Sequence, residues 1–229
     1  MWDVSAGFPR AAISAIVGPN GSGKSTLLKA ALGLVPVESG QVMLLGAPLR
    51  EARRRVAYVP QREDVDWDFP VTVREVVEMG RYPLRGWVRR LRAEDREAVD
   101  EALERVGMAA LAGRQIGRLS GGQRQRAFIG RALAQQPELL LLDEPFAGID
   151  ARTEEAILEV LSGVRDAGGS VILVHHDLTT VRRIADWALL MNVRTVAEGA
   201  PDAALTQEAL DRAYGAGAGD AIVGASWAG

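Results

Sequence analysis

Short, continuous apolar runs recur along the chain and predict the strands of a mainly parallel sheet. Strands buried on both faces have this composition, whereas half-exposed strands alternate apolar and polar residues. The clearest runs are 11–17, 56–60, 138–143 and 170–175. Further strands are predicted at 2–8, 40–46, 187–191 and 194–197.

Segments with helical patterns separate these runs. Thr72 and Glu75 have the spacing of a capping box at the start of a short helix that ends at Gly80. The other predicted helices are 24–32, 94–106, 124–135, 152–164, 178–185 and 207–214.

The order of these elements predicts one α/β domain with a helical insertion. Strands and helices alternate in residues 1–67 and again in residues 137–229, but residues 68–136 contain helical patterns only. We therefore expect a core made of 1–67 and 137–229, and a helical subdomain made of 68–136.

Composition narrows the class of protein. The 229 residues carry a net charge of −3, which argues against a broad surface for nucleic acid, and the 48% hydrophobic share is ordinary for a globular domain. The chain has no Cys, which excludes disulfides and thiolate metal sites. No apolar run approaches the roughly 20 residues of a membrane span. No leader precedes the core, so we expect a cytoplasmic protein.

A phosphate-binding loop lies between the first strong strand and the first helix. Residues 18–26 read Gly-Pro-Asn-Gly-Ser-Gly-Lys-Ser-Thr, which fits Gly, four residues, then Gly-Lys-Ser. Glycines let successive N–H groups point at phosphate oxygens, and the helix N-terminus favours anions. Lys24 supplies charge for the β- and γ-phosphates, and the Ser25 hydroxyl can bind Mg²⁺. The predicted nucleotide contacts are Gly18, Pro19, Asn20, Gly21, Ser22, Gly23, Lys24, Ser25 and Thr26.

Polar residues at the ends of two other strands suit phosphate chemistry. Asp143 and Glu144 end the Leu-rich strand. Such a pair is either a solvated strand end or a catalytic pair. In a catalytic pair, one carboxylate holds Mg²⁺ through water and the other accepts a proton from the attacking water. The uniformly apolar strand before them favours the catalytic interpretation. His176 also follows an apolar strand and can bond the γ-phosphate or position the water. The adjacent His175 is expected to be structural.

Six motifs in a fixed order make the chain resemble the ATP-binding subunits of ABC transporters from about residue 2 to residue 214. Besides the phosphate loop they are Gln61 (Q-loop), Leu-Ser-Gly-Gly-Gln at 119–123 (signature), Leu-Leu-Leu-Leu-Asp-Glu at 139–144 (Walker B), Ala-Gly-Ile-Asp at 147–150 (D-loop) and His176 (switch histidine). The resemblance implies a P-loop ATPase that uses ATP and Mg²⁺.

The resemblance also implies that two chains share each active site. In the family, a homodimer sandwiches two nucleotides head to tail, and the signature motif contacts the γ-phosphate bound by the opposite chain. The residues expected to act in trans are Ser120, Gly121, Gly122, Gln123 and Asp150. The expected catalytic residues are Glu144, His176 and Gln61, and the expected Mg²⁺ ligands are Ser25, Gln61 and Asp143.

Membrane partners follow from the same resemblance. Gln61 would report the nucleotide state to a permease, and the helical insertion would receive that permease's coupling helix. A solute-binding protein would complete the system, with this subunit at the cytoplasmic face of the membrane.

The start of the chain departs from the family pattern. The family usually has one or two strands before the phosphate loop that carry an aromatic residue stacked on adenine, and this chain begins too late to include them. Trp2 falls after that position, so no residue is assigned to adenine.

The same residues also bear on other classes of family member and on the cargo. Soluble family members of DNA repair need a long coiled coil between Q-loop and signature, and Gln61 lies too close to Leu119 for one. The segment 64–82 resembles importers of manganese, zinc or iron. Gly-Arg-Tyr-Pro at 80–83 also occurs in siderophore and haem importers, so an importer of siderophores, haem or cobalamin is the alternative. The aspartates at 64, 66 and 68 are expected to face the permease.

Overall fold

The computed structural model describes residues 3–61, 70–85 and 90–215, which form a six-stranded sheet with helices. The strands are β1 (Ile13–Val17), β2 (Val56–Val59), β3 (Leu139–Asp143), β4 (Ser170–Val174), β5 (Trp187–Asn192) and β6 (Arg194–Gly199). Their spatial order is β2-β3-β4-β1-β5-β6, and every neighbouring pair is parallel except β5 with β6. The predicted α/β class with a mainly parallel sheet is confirmed.

Helices connect the strands. They are α1 (Lys24–Ala31), α2 (Leu49–Ala52), α3 (Val73–Glu78), α4 (Tyr82–Arg85), α5 (Ala93–Arg105), α6 (Gly121–Ala134), α7 (Ala151–Asp166), α8 (Leu178–Ile184), α9 (Pro201–Ala204) and α10 (Gln207–Tyr214). Short 3₁₀ turns lie at Arg53–Arg55, Met79–Arg81, Ala109–Leu111 and Ile116–Arg118. Of these elements, α2, α4, α9 and the 3₁₀ turns were not predicted.

Both faces of the central strands are buried, which explains why these strands are apolar at every position. Leu140 and Leu142 of β3 belong to the larger core cluster, which α5, α6 and α7 complete. Leu139 and Leu141 belong to a second cluster on the opposite face, which includes Leu28 of α1. A strand with period-two side chains can be apolar throughout only when the protein covers it on both sides.

The described residues between β2 and β3 contain helices and no strand. Helix α3 starts at the predicted capping box, in which Thr72 accepts from the Glu75 N–H and the Glu75 carboxylate accepts from the Thr72 N–H. A buried ion pair joins the 3₁₀ turn that follows α3 to α5. Arg81 Nε lies 2.9 Å from Asp95 Oδ1 in this pair. Helices α3, α5 and α6 pack on one another through the larger core cluster.

A buried glutamine connects the end of α6 to the edge strand of the sheet. Gln135 directly follows the helix, and its Nε2 donates to the carbonyl oxygens of Arg54 at 3.2 Å and Val56 at 2.9 Å. Among the described strands β2 has one neighbour, β3, so these bonds lie at an edge of the described sheet.

Two of the predicted strands are wrong for the residues that are described. Residues 3–8 form no strand, and the segment 40–46 contributes only an isolated bridge between Leu44 and Ala47. Leu45 (φ 55°) and Gly46 (φ 79°) turn the chain between the two bridged residues, so the apolar run reverses direction instead of extending. In the described ranges, no helix is both long and apolar enough to span a membrane.

Candidate active site

The ends of four parallel strands bring together, at one edge of the sheet, the residues that are predicted to act on a nucleotide bound by the same chain. Gly18 follows β1, Gln61 lies two residues beyond β2, Asp143 ends β3, and His176 lies two residues beyond β4. Because β2, β3, β4 and β1 are consecutive in the sheet and parallel, their carboxyl ends share one edge. That edge is where open α/β sheets bind ligands.

The phosphate loop curls tightly at this edge, in a conformation that two of its glycines allow and that a side chain at either position would strain. A Cβ atom on Gly18 would lie 2.0 Å from the carbonyl oxygen of Met191. Gly23, immediately before α1, has φ 97°, in the left-handed region that favours glycine. The loop therefore reaches the helix N-terminus in a conformation that a side chain at either position would strain.

Lys24 places its ammonium group inside the loop. Its Nζ donates to the carbonyl oxygens of Gly18 at 2.8 Å and Pro19 at 2.9 Å. Burial lowers the pKa of Lys24, whereas the negative charges of Glu144 and Asp143 act to raise it. The lysine is therefore held by carbonyl dipoles and carboxylates at the position where phosphate charge is expected.

Asp143 is buried at the end of β3 and connects that strand to the loop. It accepts a hydrogen bond from Ser25 Oγ at 2.8 Å and a longer one from the Tyr58 hydroxyl at 3.5 Å. Tyr58 was not predicted as a site residue, although it carries the only side-chain polar group in the apolar run 56–60. Serine and carboxylate oxygens are ligands that Mg²⁺ prefers.

Glu144 and Gln61 form a second pair at the open side of the edge. Gln61 Nε2 donates to Glu144 Oε2 at 2.7 Å. Glu144 has φ 48°, an uncommon conformation for a residue with a side chain, and such strain is concentrated at functional positions. The strained backbone directs this carboxylate away from the buried strand and toward Gln61.

The two histidines after β4 lie in different environments. His176 is exposed, whereas His175 is buried and packs edge-to-face on Phe146, with ring centroids 5.0 Å apart. His175 Nε2 has no hydrogen-bond partner among the residues that the structure describes. Burial, together with the charge of His176, lowers the pKa of His175 to about 4. His175 is therefore a neutral packing residue at neutral pH.

We expect this buried histidine to make stability depend on pH. Between pH 6.5 and about 4, the unfolded chain binds a proton at His175 that the folded chain does not, so stability is complete above this window and is lost as the pH falls through it. From pH 7 to pH 5 the free energy of unfolding should fall by about 2 kcal/mol from this group. Urea unfolding curves at pH 7, 6 and 5 measure the change.

A pair of variants separates this effect from other titrations. His175→Gln should flatten the dependence between pH 7 and 5, although it starts from a lower stability because it alters packing on Phe146. His176→Gln removes the exposed neighbour and should keep most of the fall. If His175→Gln loses stability as steeply as the parent chain, His175 does not cause the dependence.

The signature residues form the first turn of α6. Ser120 caps the helix by accepting from the Gln123 N–H at 3.3 Å, and the Ser120 N–H donates to Gln123 Oε1 at 3.0 Å. Gly121 is exposed and Gly122 is buried. A helix N-terminus with a polar cap and glycines beside it is a suitable place for an anion.

The start of α7 lies directly against the start of α6. A Cβ on Gly122 would lie 2.7 Å from Thr153 Cγ2, so only glycine allows this approach. Asp150 caps α7 by accepting from the Thr153 N–H and hydroxyl at 3.0 and 2.8 Å, and these bonds lower the pKa of its carboxyl. The residues expected to act in trans therefore form one cluster at two helix N-termini, in which Ser120, Gly121 and Asp150 are exposed.

The remaining predicted residues are located as follows. In the loop, Asn20, Gly21 and Thr26 are exposed and Ser22 is buried. The aspartates at 64, 66 and 68 lie outside the described residues.

The chain is similar to known proteins along most of its length. A family model for ABC transporters matches residues 1–147. The chain is 53% identical to the zinc transport system ATP-binding protein TroB of Treponema pallidum, over 94% of this chain and 81% of that protein. It is 46% identical to the manganese transport system ATP-binding protein MntB of Bacillus subtilis, over 94% and 86%. A solved structure of an inward-facing, metal-chelate type ABC transporter matches with a TM-score of 0.79 at 30% identity, over 90% of this chain and 80% of that one.

Proposed function

The chain belongs to the ABC transporter family and is one of its ATPases, and we propose that it powers the uptake of manganese, zinc or iron. One observation supports the roles of the site residues: the loop lysine, a buried acidic strand end and an accessible carboxylate meet at one sheet edge. Similarity to zinc and manganese transport proteins supports the cargo.

In this proposal the loop 18–26 binds the phosphates of ATP. Its N–H groups and the N-terminus of α1 supply hydrogen bonds and positive dipoles. Lys24 exchanges its carbonyl contacts for oxygens of the β- and γ-phosphates, and the nearby carboxylates favour its charged form.

The oxygen atoms around Ser25 suit Mg²⁺. The Ser25 hydroxyl and the Gln61 side-chain oxygen would bind the ion directly, and Asp143 would bind through water. The hydrogen bond between Ser25 and Asp143 supports this assignment because it already holds two of these oxygens 2.8 Å apart. When bound, the ion would offset the negative charge of the phosphates.

Glu144 is the proposed general base. A water oxygen forms a bond to the γ-phosphorus while the bond to the β–γ bridging oxygen breaks, and the water proton passes to the Glu144 carboxylate, giving ADP and phosphate. Gln61 orients that carboxylate through its 2.7 Å hydrogen bond. His176, exposed at the next strand end, would position the water or bind a γ-phosphate oxygen.

The cluster at the starts of α6 and α7 is proposed to complete the site of a second copy of this chain. Ser120, Gly121, Gly122 and Gln123 would contact the γ-phosphate held by that copy, and Asp150 would couple the two sites. The exposure of Ser120 and Gly121 and the direct packing of Gly122 on α7 support this arrangement, because the cluster is accessible and rigid.

The helical residues 68–136 are proposed as the subdomain that contacts a permease at the cytoplasmic face of the membrane. A solute-binding protein would deliver the cargo to that permease. The segment 64–82, which motivates the cargo assignment, begins outside the described part of the chain. The assignment of the cargo therefore depends on similarity to known proteins rather than on geometry.

Uptake of a metal chelate is the second candidate. The match to a metal-chelate type transporter favours it, at 30% identity. The matches to zinc and manganese proteins are at 53% and 46% identity, and we therefore prefer the free ion.

Cellular metal content tests the cargo. A strain that lacks the gene should contain less manganese, zinc or iron under metal limitation, and a wild-type copy should restore the content. A Glu144→Gln copy should fail to restore it, because the transporter would lack its energy source. A Glu138→Gln copy is the matched control, since Glu138 lies at the opposite end of the same strand and pairs with Arg55 on the surface.

Two outcomes distinguish the cargoes. Unchanged metal content together with lost uptake of a siderophore or haem would contradict the free-ion proposal and favour the chelate. Loss of one free ion with normal chelate uptake would identify the cargo.

A further inference from the structure

The phosphate loop is supported from outside by the strand and turn that follow α8. The carbonyl oxygen of Met191 in β5 occupies the space beside Gly18 in which a side chain would otherwise lie. The N–H of Val193 donates to the carbonyl oxygen of Ser22 at 3.0 Å. The end of β5 therefore contacts one arm of the loop and the β5–β6 turn contacts the other, although both are remote in sequence.

This turn is held in a strained conformation. Val193 has φ 63°, which is a genuine outlier for a β-branched residue. Such a conformation persists only where the surrounding structure fixes it. Here it directs the Val193 N–H at the loop.

Helix α10 fixes both the turn and the loop. Asn192 Nδ2 donates to the carbonyl oxygen of Ala213 at 2.8 Å, which connects the turn to the last turn of the helix. The next residue, Tyr214, is half-buried, and the backbone of Gly18 lies close enough to its hydroxyl to act on the pKa of that group. Burial raises the pKa of Tyr214 while this contact with Gly18 opposes the rise, so the hydroxyl remains protonated at neutral pH.

The base of α10 is firm enough to act as a support. Ala209, Leu210 and Ala213 are buried in the larger core cluster, and Thr206 caps the helix by accepting from the Ala209 N–H. Tyr214 and Asn192 thus connect a packed helix to the first residue of the loop and to the turn behind the loop.

We propose that Asn192 and Tyr214 are positioning residues for nucleotide binding, which together hold the phosphate loop in its anion-binding shape. This inference rests on the proposed role of residues 18–26 as the ATP site. A loop that is ordered before the phosphates arrive loses less conformational entropy on binding, so support from behind raises affinity without any contact to the nucleotide.

Two substitutions remove the support while they keep the core of α10. Tyr214→Phe deletes only the hydroxyl, and Asn192→Ala deletes the bond to Ala213. Each removes about one polar contact, so we expect ATP with Mg²⁺ to bind roughly 3- to 10-fold more weakly. The KM for ATP should rise by a similar factor, and kcat should change less than twofold because neither residue touches the reacting atoms.

Thr206→Val is the matched control. It also deletes one hydroxyl hydrogen bond from α10, but at the other end of the helix, about 12 Å away along its axis. It should lower the melting temperature about as much as Tyr214→Phe and leave the Kd for ATP unchanged.

Calorimetric titration of the chain with ATP and Mg²⁺, with thermal melts of each variant, decides between the outcomes. Equal Kd values for the parent, Tyr214→Phe and Asn192→Ala would overturn the inference. If Thr206→Val also raises the Kd for ATP, the weaker binding is due to a general loss of stability, and this result would overturn the inference too. Failure of the parent chain to bind ATP would instead contradict the proposed site, with Lys24→Ala as the reference for lost binding.

Discussion

Replacing Glu144 with glutamine is expected to reduce steady-state ATP hydrolysis by about 10²-fold or more while ATP remains bound. Glutamine has the shape of glutamate and can still contact Gln61, which now lies 2.7 Å from the carboxylate, but it cannot accept a proton from water. The substitution also leaves Lys24 and Ser25 in place. We therefore expect an ATP-bound dimer to accumulate, which size-exclusion chromatography with ATP and Mg²⁺ would detect.

The control for this experiment is again the glutamate that directly precedes β3. Glu138→Gln makes the same chemical change at the other end of the strand, where the carboxylate pairs with Arg55 near the surface, and it should hydrolyse ATP at the parental rate. Phosphate release by Glu144→Gln at a rate close to that of Glu138→Gln would remove Glu144 from the proposed mechanism.

Mixing two inactive variants is expected to restore ATP hydrolysis. Lys24→Ala damages the phosphate loop, and Ser120→Arg places a bulky cation in the cluster proposed to act in trans, so each variant alone has two damaged sites. A mixed dimer has one site in which both halves are intact and one in which both are damaged. Random pairing makes half of the dimers mixed, so an equimolar mixture should reach roughly a quarter of the parental rate.

The control for Ser120→Arg must account for the cap that it removes. Ser120 and Thr72 both form capping boxes, at the starts of α6 and α3, and loss of either cap costs about 1 kcal/mol. Thr72→Arg should therefore remain active without mixing, with the permease present in all assays if dimers need it. Activity of Lys24→Ala or Ser120→Arg alone that equals the activity of their mixture would exclude a site shared between chains.

Much of the fold followed from local patterns because the central strands are buried on both faces. The apolar runs before Gly18 and around Leu141 match β1 and β3, and the predicted closing helix 207–214 is α10. These elements are recognisable one at a time, since their composition or caps do not depend on distant residues. Their arrangement as a nucleotide-binding sheet came instead from the family resemblance.

The errors arose where a run of apolar residues lacks a strand to pair with. The segment 40–46 has the composition of a strand, yet its backbone turns at Leu45 and Gly46. Extended backbone is stable when a neighbouring strand satisfies its hydrogen bonds, and composition alone does not show whether a neighbour exists. The support of the phosphate loop was missed for a related reason, because Val193 and Tyr214 reach it from the far end of the chain.

The bonds of Gln135 attach the C-terminal end of α6 to the edge strand, while its N-terminal end carries Ser120. Its first turn begins at Ser120, its last turn is fixed through Gln135 to the backbone of Arg54 and Val56, and 14 residues give it a length of about 21 Å. The strand that starts at Val56 leads directly to Gln61. We therefore expect a rotation of α6 that moves Ser120 to displace the strand before Gln61 as well, so that the first turn of α6 and Gln61 move together.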